Sequence, residues 1–287
     1  MNKIIDSRIR IPLELRPNEK QKDLDLFHYR YDEVLNLSEN NQKSIMDLKS
    51  EMKAANIAHG IIHAEYEFGD PADSLNEAVG KMIKDDPIHF SGFGTISMEN
   101  LQPLKALKQL EKVKELGLLG VNIQPSFFGI SIDDKKLYPV YAKAKELDLI
   151  VAIHTGINYS TRHPIKHEHP ILLDQVLCDF PGLTAIACHA SWPWIPEIVA
   201  VARKHPNLFL DFGGLAPKYI KTPGSGWEMM YHFMNSLLSE QLLFATDWPV
   251  FSMERAVSEW EQLKLKPEVL DKLLWGNAER LFNLVVN

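Results

Sequence analysis

The chain has 287 residues, of which 45% are hydrophobic and 24% charged, in the range of an ordinary globular protein that folds without disulfides or a structural metal. Its 31 Lys+Arg against 38 Asp+Glu give a formal charge of -7 with no basic cluster, which argues against nucleic acid as a partner. Two cysteines, Cys178 and Cys188, exclude a disulfide framework and point to a reducing, cytoplasmic setting.

The opening MNKIIDSRIRIP has no apolar secretion stretch. No later segment approaches ~18 uninterrupted apolar residues, so no membrane partner is expected. Residues 3–9 read as a first strand. The polar, irregular residues 14–41 read as a loop or cap. A helix over 42–55 leads to a strand at 57–63. Helix 73–84 precedes strand 89–93, and helix 103–116 precedes strand 120–123. There the apolar period changes from three or four (Val113, Leu116) to two (Val121, Ile123). Pro103 suits the helix start and Gly117 its stop. Helix 133–147 and strand 149–153 follow, then helix 171–180 and strand 184–188. Helix 193–204 leads to strand 208–212, helix 226–238 to strand 242–245, and helix 252–263 comes next. Residues 268–285 read as one further amphipathic helix.

Eight strands alternating with helices predict a (β/α)8 TIM barrel spanning 1–287 as a single domain, with an additional C-terminal helix. A doubly wound sheet is the competing architecture. It would usually carry a glycine-rich turn after its first strand, and none is present.

In such a barrel, functional groups stand at the C-terminal strand ends. Strand five ends in VAIHTG with His154, strand six in IACHAS with His189, and strand eight in FATDWP with Asp247. Two imidazoles and a carboxylate on one rim suit zinc or manganese, or acid–base work without a metal. On the first strand Asp6, Arg8 and Arg10 share a period-two face. Inward arginines suit a clamp for a carboxylate or phosphate. The alternative is that they turn outward or pair with Asp6 and Glu14. His63 with Glu65, and Gln124, end strands two and four and are candidates to line the site. Arg162 and His163 are substrate-contact candidates on the loop after strand five, whereas His167 and His169 read as solvated. Trp192, Trp194 and Trp248 suit either a wall for a flat substrate or packing. Gly213-Gly214 permits close backbone approach.

Together these residues resemble the amidohydrolase superfamily, in the branch that includes aminocarboxymuconate-semialdehyde decarboxylase and γ-resorcylate decarboxylase. The resemblance runs along nearly the whole chain. It rests on Ile4-Ile5-Asp6, on Gly120 to Gln124-Pro, on Asp133-Asp134 and Tyr138-Pro-Val-Tyr141, and on Ile153-His154-Thr-Gly156. Further on it includes His189-Ala-Ser-Trp-Pro-Trp194, Phe244-Ala-Thr-Asp247-Trp-Pro249 and Gly276-Asn-Ala-Glu-Arg-Leu-Phe282. It implies a barrel that hydrolyses, decarboxylates or hydrates small, often carboxylated substrates. It also implies a divalent metal on His154 and Asp247, with His189 polarising substrate or activating water. Homodimerisation is implied by the resemblance alone.

One departure stands out. The two histidines of the family's first motif are Arg8 and Arg10 here. A divalent ion and a guanidinium ~5 Å apart repel by about 6 kcal/mol at an effective dielectric of ~20. Two mechanisms follow: metal-bound water with Asp247 taking its proton, or metal-free chemistry with the arginines holding an anion. The expected activity is hydrolysis of a small anionic carbonyl compound, at a C–C, lactone or ester bond, by water activated at His154, His189 and Asp247. The alternatives are nonoxidative decarboxylation, or a degenerate barrel that binds a ligand without catalysis.

Overall fold

A computed structural model describes residues 4–17, 29–66 and 71–284. The β-branched run IIDSRIR forms β1 (Ile4–Arg10). It is followed by β2 (Ile57–His63), β3 (Phe90–Thr95), β4 (Gly120–Ile123) and β5 (Ile150–Ile153). β6 (Ala185–Ala187), β7 (Leu208–Asp211) and β8 (Leu242–Leu243) complete one eight-stranded sheet, parallel throughout, with the strands in chain order. The ring closes just beyond β8. Ser7 N donates to Phe244 O at 2.9 Å, Asp247 N to Arg8 O at 2.9 Å and Arg10 N to Trp248 O at 2.8 Å. That register sets Asp247 beside both arginines of β1.

Two apolar layers hold the barrel. The larger lies between strands and helices, where helix Ala72–Asp85 buries Leu75, Val79 and Met82. The smaller joins Ile5, Ile61, Phe93, Ile150, Ala152, Ile186, Phe209 and Leu243, with Phe282 of the C-terminal helix packed against it. Continuing the period-two face upward from these residues reaches His63, His154, Cys188, Asp211 and Asp247. The apolar floor and the polar mouth are thus successive layers of one inner face.

Local chemistry sets the helix ends. Ser44 and Asp47 form a capping box ahead of helix Ile45–Ala54. Ser252 accepts Arg255 N to start helix Met253–Gln262. Two expected segments gain detail. The cap region carries short helices, Tyr29–Leu35 and Leu37–Asn40, and Tyr31 is buried with its ring 5.9 Å from that of Tyr159; residues 18–28 of the expected cap lie outside the described residues. The expected C-terminal helix runs unbroken from Pro267 to Phe282, with a π turn at Lys272–Gly276. The π turn has a cause in packing. Leu273 O accepts Phe244 N at 2.9 Å, and Asn277 Nδ2 donates to Leu242 O at 2.8 Å. The widened turn ties the helix to the last strand. Among the described residues, no helix is long and apolar enough to cross a membrane.

Candidate active site

The centre of the barrel mouth is a guanidinium. Arg8 is fully buried. Its Nη2 lies 2.7 Å from Glu65 Oε1, its Nη1 3.8 Å from Asp211 Oδ2 and its Nε 3.3 Å from Asp247 Oδ1. Nη1 also donates to Asn122 Oδ1 at 3.3 Å and to Cys188 Sγ at 3.2 Å. Burial pushes the Cys188 thiol up, despite the opposing pull of Arg8, so it stays a neutral acceptor. Arg10, with 11% side-chain exposure, sits nearer the rim. Its Nε and Nη2 fork the two oxygens of Asp247 at 3.1 and 3.0 Å, and its Nη1 meets Glu65 Oε2 at 3.0 Å.

Both arginines therefore point inward, as the clamp reading expects, but their partners are not Asp6 and Glu14. The β1–β2 register slips between Asp6 and Ile9. Asp6 accepts Thr246 N and Thr246 Oγ1 at 3.1 and 2.5 Å, which fixes the turn carrying Asp247. Its carboxyl is pushed up to about 7, above all by burial, against the hydrogen bonds from Thr246 and Arg8. Glu14 instead accepts Ile45 N.

His189 and His154 face each other edge to face, with ring centroids 4.9 Å apart. His189 Nδ1 donates to Gly213 O at 2.8 Å, so the neutral ring presents Nε2 as an acceptor. Burial lowers its pKa below the ordinary 6.5, with His154 and Arg8 adding to the effect and Asp247 and Asp211 opposing it. His154 Nδ1 lies 3.0 Å from Glu168 Oε2. Glu168 is itself fully buried and accepts Asn158 Nδ2 at 3.1 Å and Ser126 N at 3.3 Å. The loop after β5 thus returns a carboxylate to orient its histidine. Replacing Glu168 by Gln should lower turnover by up to about 100-fold, the scale on which a small misplacement of a positioned group costs rate. Steady-state kinetics with an unchanged melting temperature would show it.

The backbone is strained where the site needs it. His189, Ala190 and Ser191 have φ of 57°, 41° and 55°, and Asp247 has 57°. Asp211 Oδ1 holds the first of these turns by accepting His189 N at 3.1 Å and Gly213 N at 3.0 Å. The glycine pair is needed for close approach. A Cβ on Gly213 would stand 3.0 Å from Arg8 Cδ, and Gly214 has φ +68° with Asp247 Oδ2 and His189 Nδ1 nearby.

The other expected site residues divide. Gln124 is buried at the end of β4 and its Oε1 has no hydrogen-bond partner, which suits a ligand contact. His63 is occupied by protein partners. It is buried behind Arg8, donates Nε2–H to Ser7 O at 3.0 Å and stacks on Phe93 at 4.7 Å. Trp248 is not a wall of the site: it is fully buried in the layer between barrel and helices. Trp192 packs partly buried against that layer. Arg162 is exposed on its loop. His163 stacks on Phe127 at 4.4 Å and bonds Ser160 Oγ at 2.7 Å. His167 is held by Ser131 Oγ at 2.8 Å. Sequence reasoning left Glu65 a weak candidate and missed Asp211 and Glu168. For Asp211 a signal existed, since it lies at the end of a strand like the other rim residues.

The expected metal ligands do not assemble around a vacant centre. Both oxygens of Asp247 are engaged by Arg10, and Arg8 Nε lies 3.3 Å from Asp247 Oδ1, so the carboxylate already serves two guanidinium groups that would repel a divalent ion. The residues present do not fit a divalent ion. Among the described residues, the only group of three or more His, Cys, Asp or Glu side chains with ligand atoms mutually within 4.8 Å is Asp174, Cys178 and His205. That group lies outside the barrel, and Lys204 Nζ already stands 2.7 Å from Asp174 Oδ1 and 3.4 Å from Cys178 Sγ.

A parallel eight-stranded barrel with histidines after β5 and β6 and an aspartate after β8 defines a class of barrel with its polar site at the strand ends. The chain belongs to the amidohydrolase family, whose model matches residues 28–284. It is 23% identical over 262 residues to a gamma-resorcylate decarboxylase of Polaromonas sp. (strain JS666 / ATCC BAA-500), covering 75% of this chain and 77% of the relative. An uncharacterized TIM-barrel protein from Bordetella bronchiseptica superposes with a TM-score of 0.80 at 29% identity, covering 98% of this chain and 99% of that one. A dihydroxybenzoic acid decarboxylase from Polaromonas sp. JS666, solved with manganese and 2-nitroresorcinol, gives a TM-score of 0.71 at 18% identity over 99% of this chain and 98% of that one.

Proposed function

We propose that this protein is a nonoxidative decarboxylase of a small carboxylate bearing an adjacent phenol or enol oxygen. The observation that carries the reading is His189, its Nδ1 given to Gly213 O so that the neutral ring presents Nε2, beside Asp247 and the Arg10 side chain, 11% of which is exposed. The likeness to gamma-resorcylate decarboxylase supports carbon–carbon cleavage over the hydrolysis expected from the strand ends alone.

The chemistry needs a cation for the substrate's oxygens and one proton carrier. Arg10 supplies the first. His189 Nε2 takes the hydroxyl proton and delivers it to the carbon bearing the carboxylate. The carbon–carboxylate bond then breaks, its electron pair returns to the conjugated system as an oxyanion, and CO2 leaves. Water restores the oxyanion's proton. One proton is consumed and one CO2 released per turnover. Gln124 is placed to orient the substrate, and Glu168 holds His154 against His189.

The test is a panel of hydroxybenzoates and enolisable keto acids assayed for CO2, with lactones and esters assayed beside them. CO2 release from at least one acid is expected. Opening of a lactone or ester without any CO2 would overturn the reading in favour of hydrolysis. Because His189 acts as a base from its neutral form, kcat/KM should hold through neutral pH. It should fall only on acidification below 6.5, as protonation removes the acceptor. An acid limb above that value would exclude His189 from the role.

A further inference from the structure

We propose that the guanidinium groups of Arg8 and Arg10 take the place of a divalent metal at the mouth of this barrel, so that its reaction is metal-independent. The argument is one of occupied positions. Arg8 is fully buried, with Glu65, Asp211 and Asp247 all within 4 Å of its nitrogens. A metal using those carboxylates would have to expel a guanidinium whose charge they neutralise. Arg10 closes the outer side, engaging both oxygens of Asp247 and the second oxygen of Glu65. The carboxylate that the resemblance assigns to metal is thus a counter-ion to two arginines.

The neighbours of Arg8 suit a fixed cation. Asn122 Oδ1 and Cys188 Sγ accept from it, and His63 Nδ1, 3.4 Å from Nη1, presents a lone pair because Nε2–H is given to Ser7 O. Neutral acceptors complete the shell where charge balance needs no further anion. Arg8 is the fixed cation of the site. Arg10, with 11% of its side chain exposed, is the one an incoming oxyanion can reach. That catalytic assignment rests on the decarboxylase reading; the metal independence does not.

The experiment uses the full chain, produced in medium supplemented with manganese and zinc and purified without a tag or chelator. Metal is measured by elemental analysis, before and after dialysis against added Mn2+ or Zn2+. The expected content is well below one equivalent, with no binding on re-addition. Metal that persists in Asp247→Ala and His154→Ala but disappears in Cys178→Ser lies at the outer Asp174–Cys178–His205 group and leaves the proposal standing. One equivalent of either metal lost in Asp247→Ala or His154→Ala would overturn it. If Asp247→Ala does not fold, His154→Ala alone decides. Any CO2 release found in the panel should be unchanged by chelator; its abolition and recovery with Mn2+ or Zn2+ would equally overturn the proposal. A metal-free protein that releases no CO2 would sink the decarboxylase reading and leave this one intact.

Discussion

Replacing Arg8 by Met should destabilise the protein by about 3–5 kcal/mol, the cost of breaking a buried ion network by removing one partner. For a chain of this size that corresponds to a fall in Tm on the order of 10 °C. The methionine matches the arginine stem but carries no charge. It would leave Glu65 and Asp211 buried with less compensation, and Asn122 Oδ1 and Cys188 Sγ without their donor. Lysine should rescue little, because one ammonium cannot reach three carboxylates at once as the planar fork does. Arg255 gives the contrast. Its i,i+4 pair with Glu259 is on the surface, with 49% of the arginine side chain exposed, and its loss should change stability by no more than ~0.5 kcal/mol. Thermal and urea unfolding of the two variants side by side would check both. An Arg8→Met protein as stable as the parent would show that the three carboxylates do not depend on this cation.

Asp247→Asn should lower kcat/KM on the order of a thousandfold, within the range for losing a positioned charged group at a reacting centre. The amide keeps the shape, and the backbone bond from residue 247 to Arg8 O at 2.9 Å is untouched. Arg10 keeps Glu65 but loses the fork that fixes its guanidinium. His189 loses the nearby negative charge that supports its imidazolium, so proton transfer through it becomes harder. Stability should fall far less than in Arg8→Met. The same variant separates an enzyme from a barrel that only binds. Activity collapses while ligand affinity persists in the first case; in the second no turnover exists to lose. Asp247→Asn retaining activity within about tenfold of the parent would move the chemistry away from the β1–β8 seam.

The barrel was legible because its signal is local and repeated. The β-branched runs at 57–63, 120–123 and 208–212 fall on β2, β4 and β7 nearly residue for residue. Position at a strand's end also marked His154, His189 and Asp247 as groups of the mouth, and the spacing of two in β1 placed Arg8 and Arg10 on one face. The partners of those groups were not legible. Glu65 and Asp211 become counter-ions of Arg8 only when β2 and β7 are carried round the ring, and Glu168 reaches His154 only when its loop folds back. Trp248 shows the limit most simply. One residue from Asp247, it turns into the outer core, because the strained turn sends successive side chains to opposite sides of the wall. Sequence by itself determined the fold and the residue types at the mouth, because period and strand order are properties of neighbouring residues. Only the tertiary structure decided that the arginines occupy the centre and take the carboxylates as partners. Charge pairing depends on distances between residues as much as 239 positions apart, such as Arg8 and Asp247 (247 − 8), and closure of the barrel sets those distances.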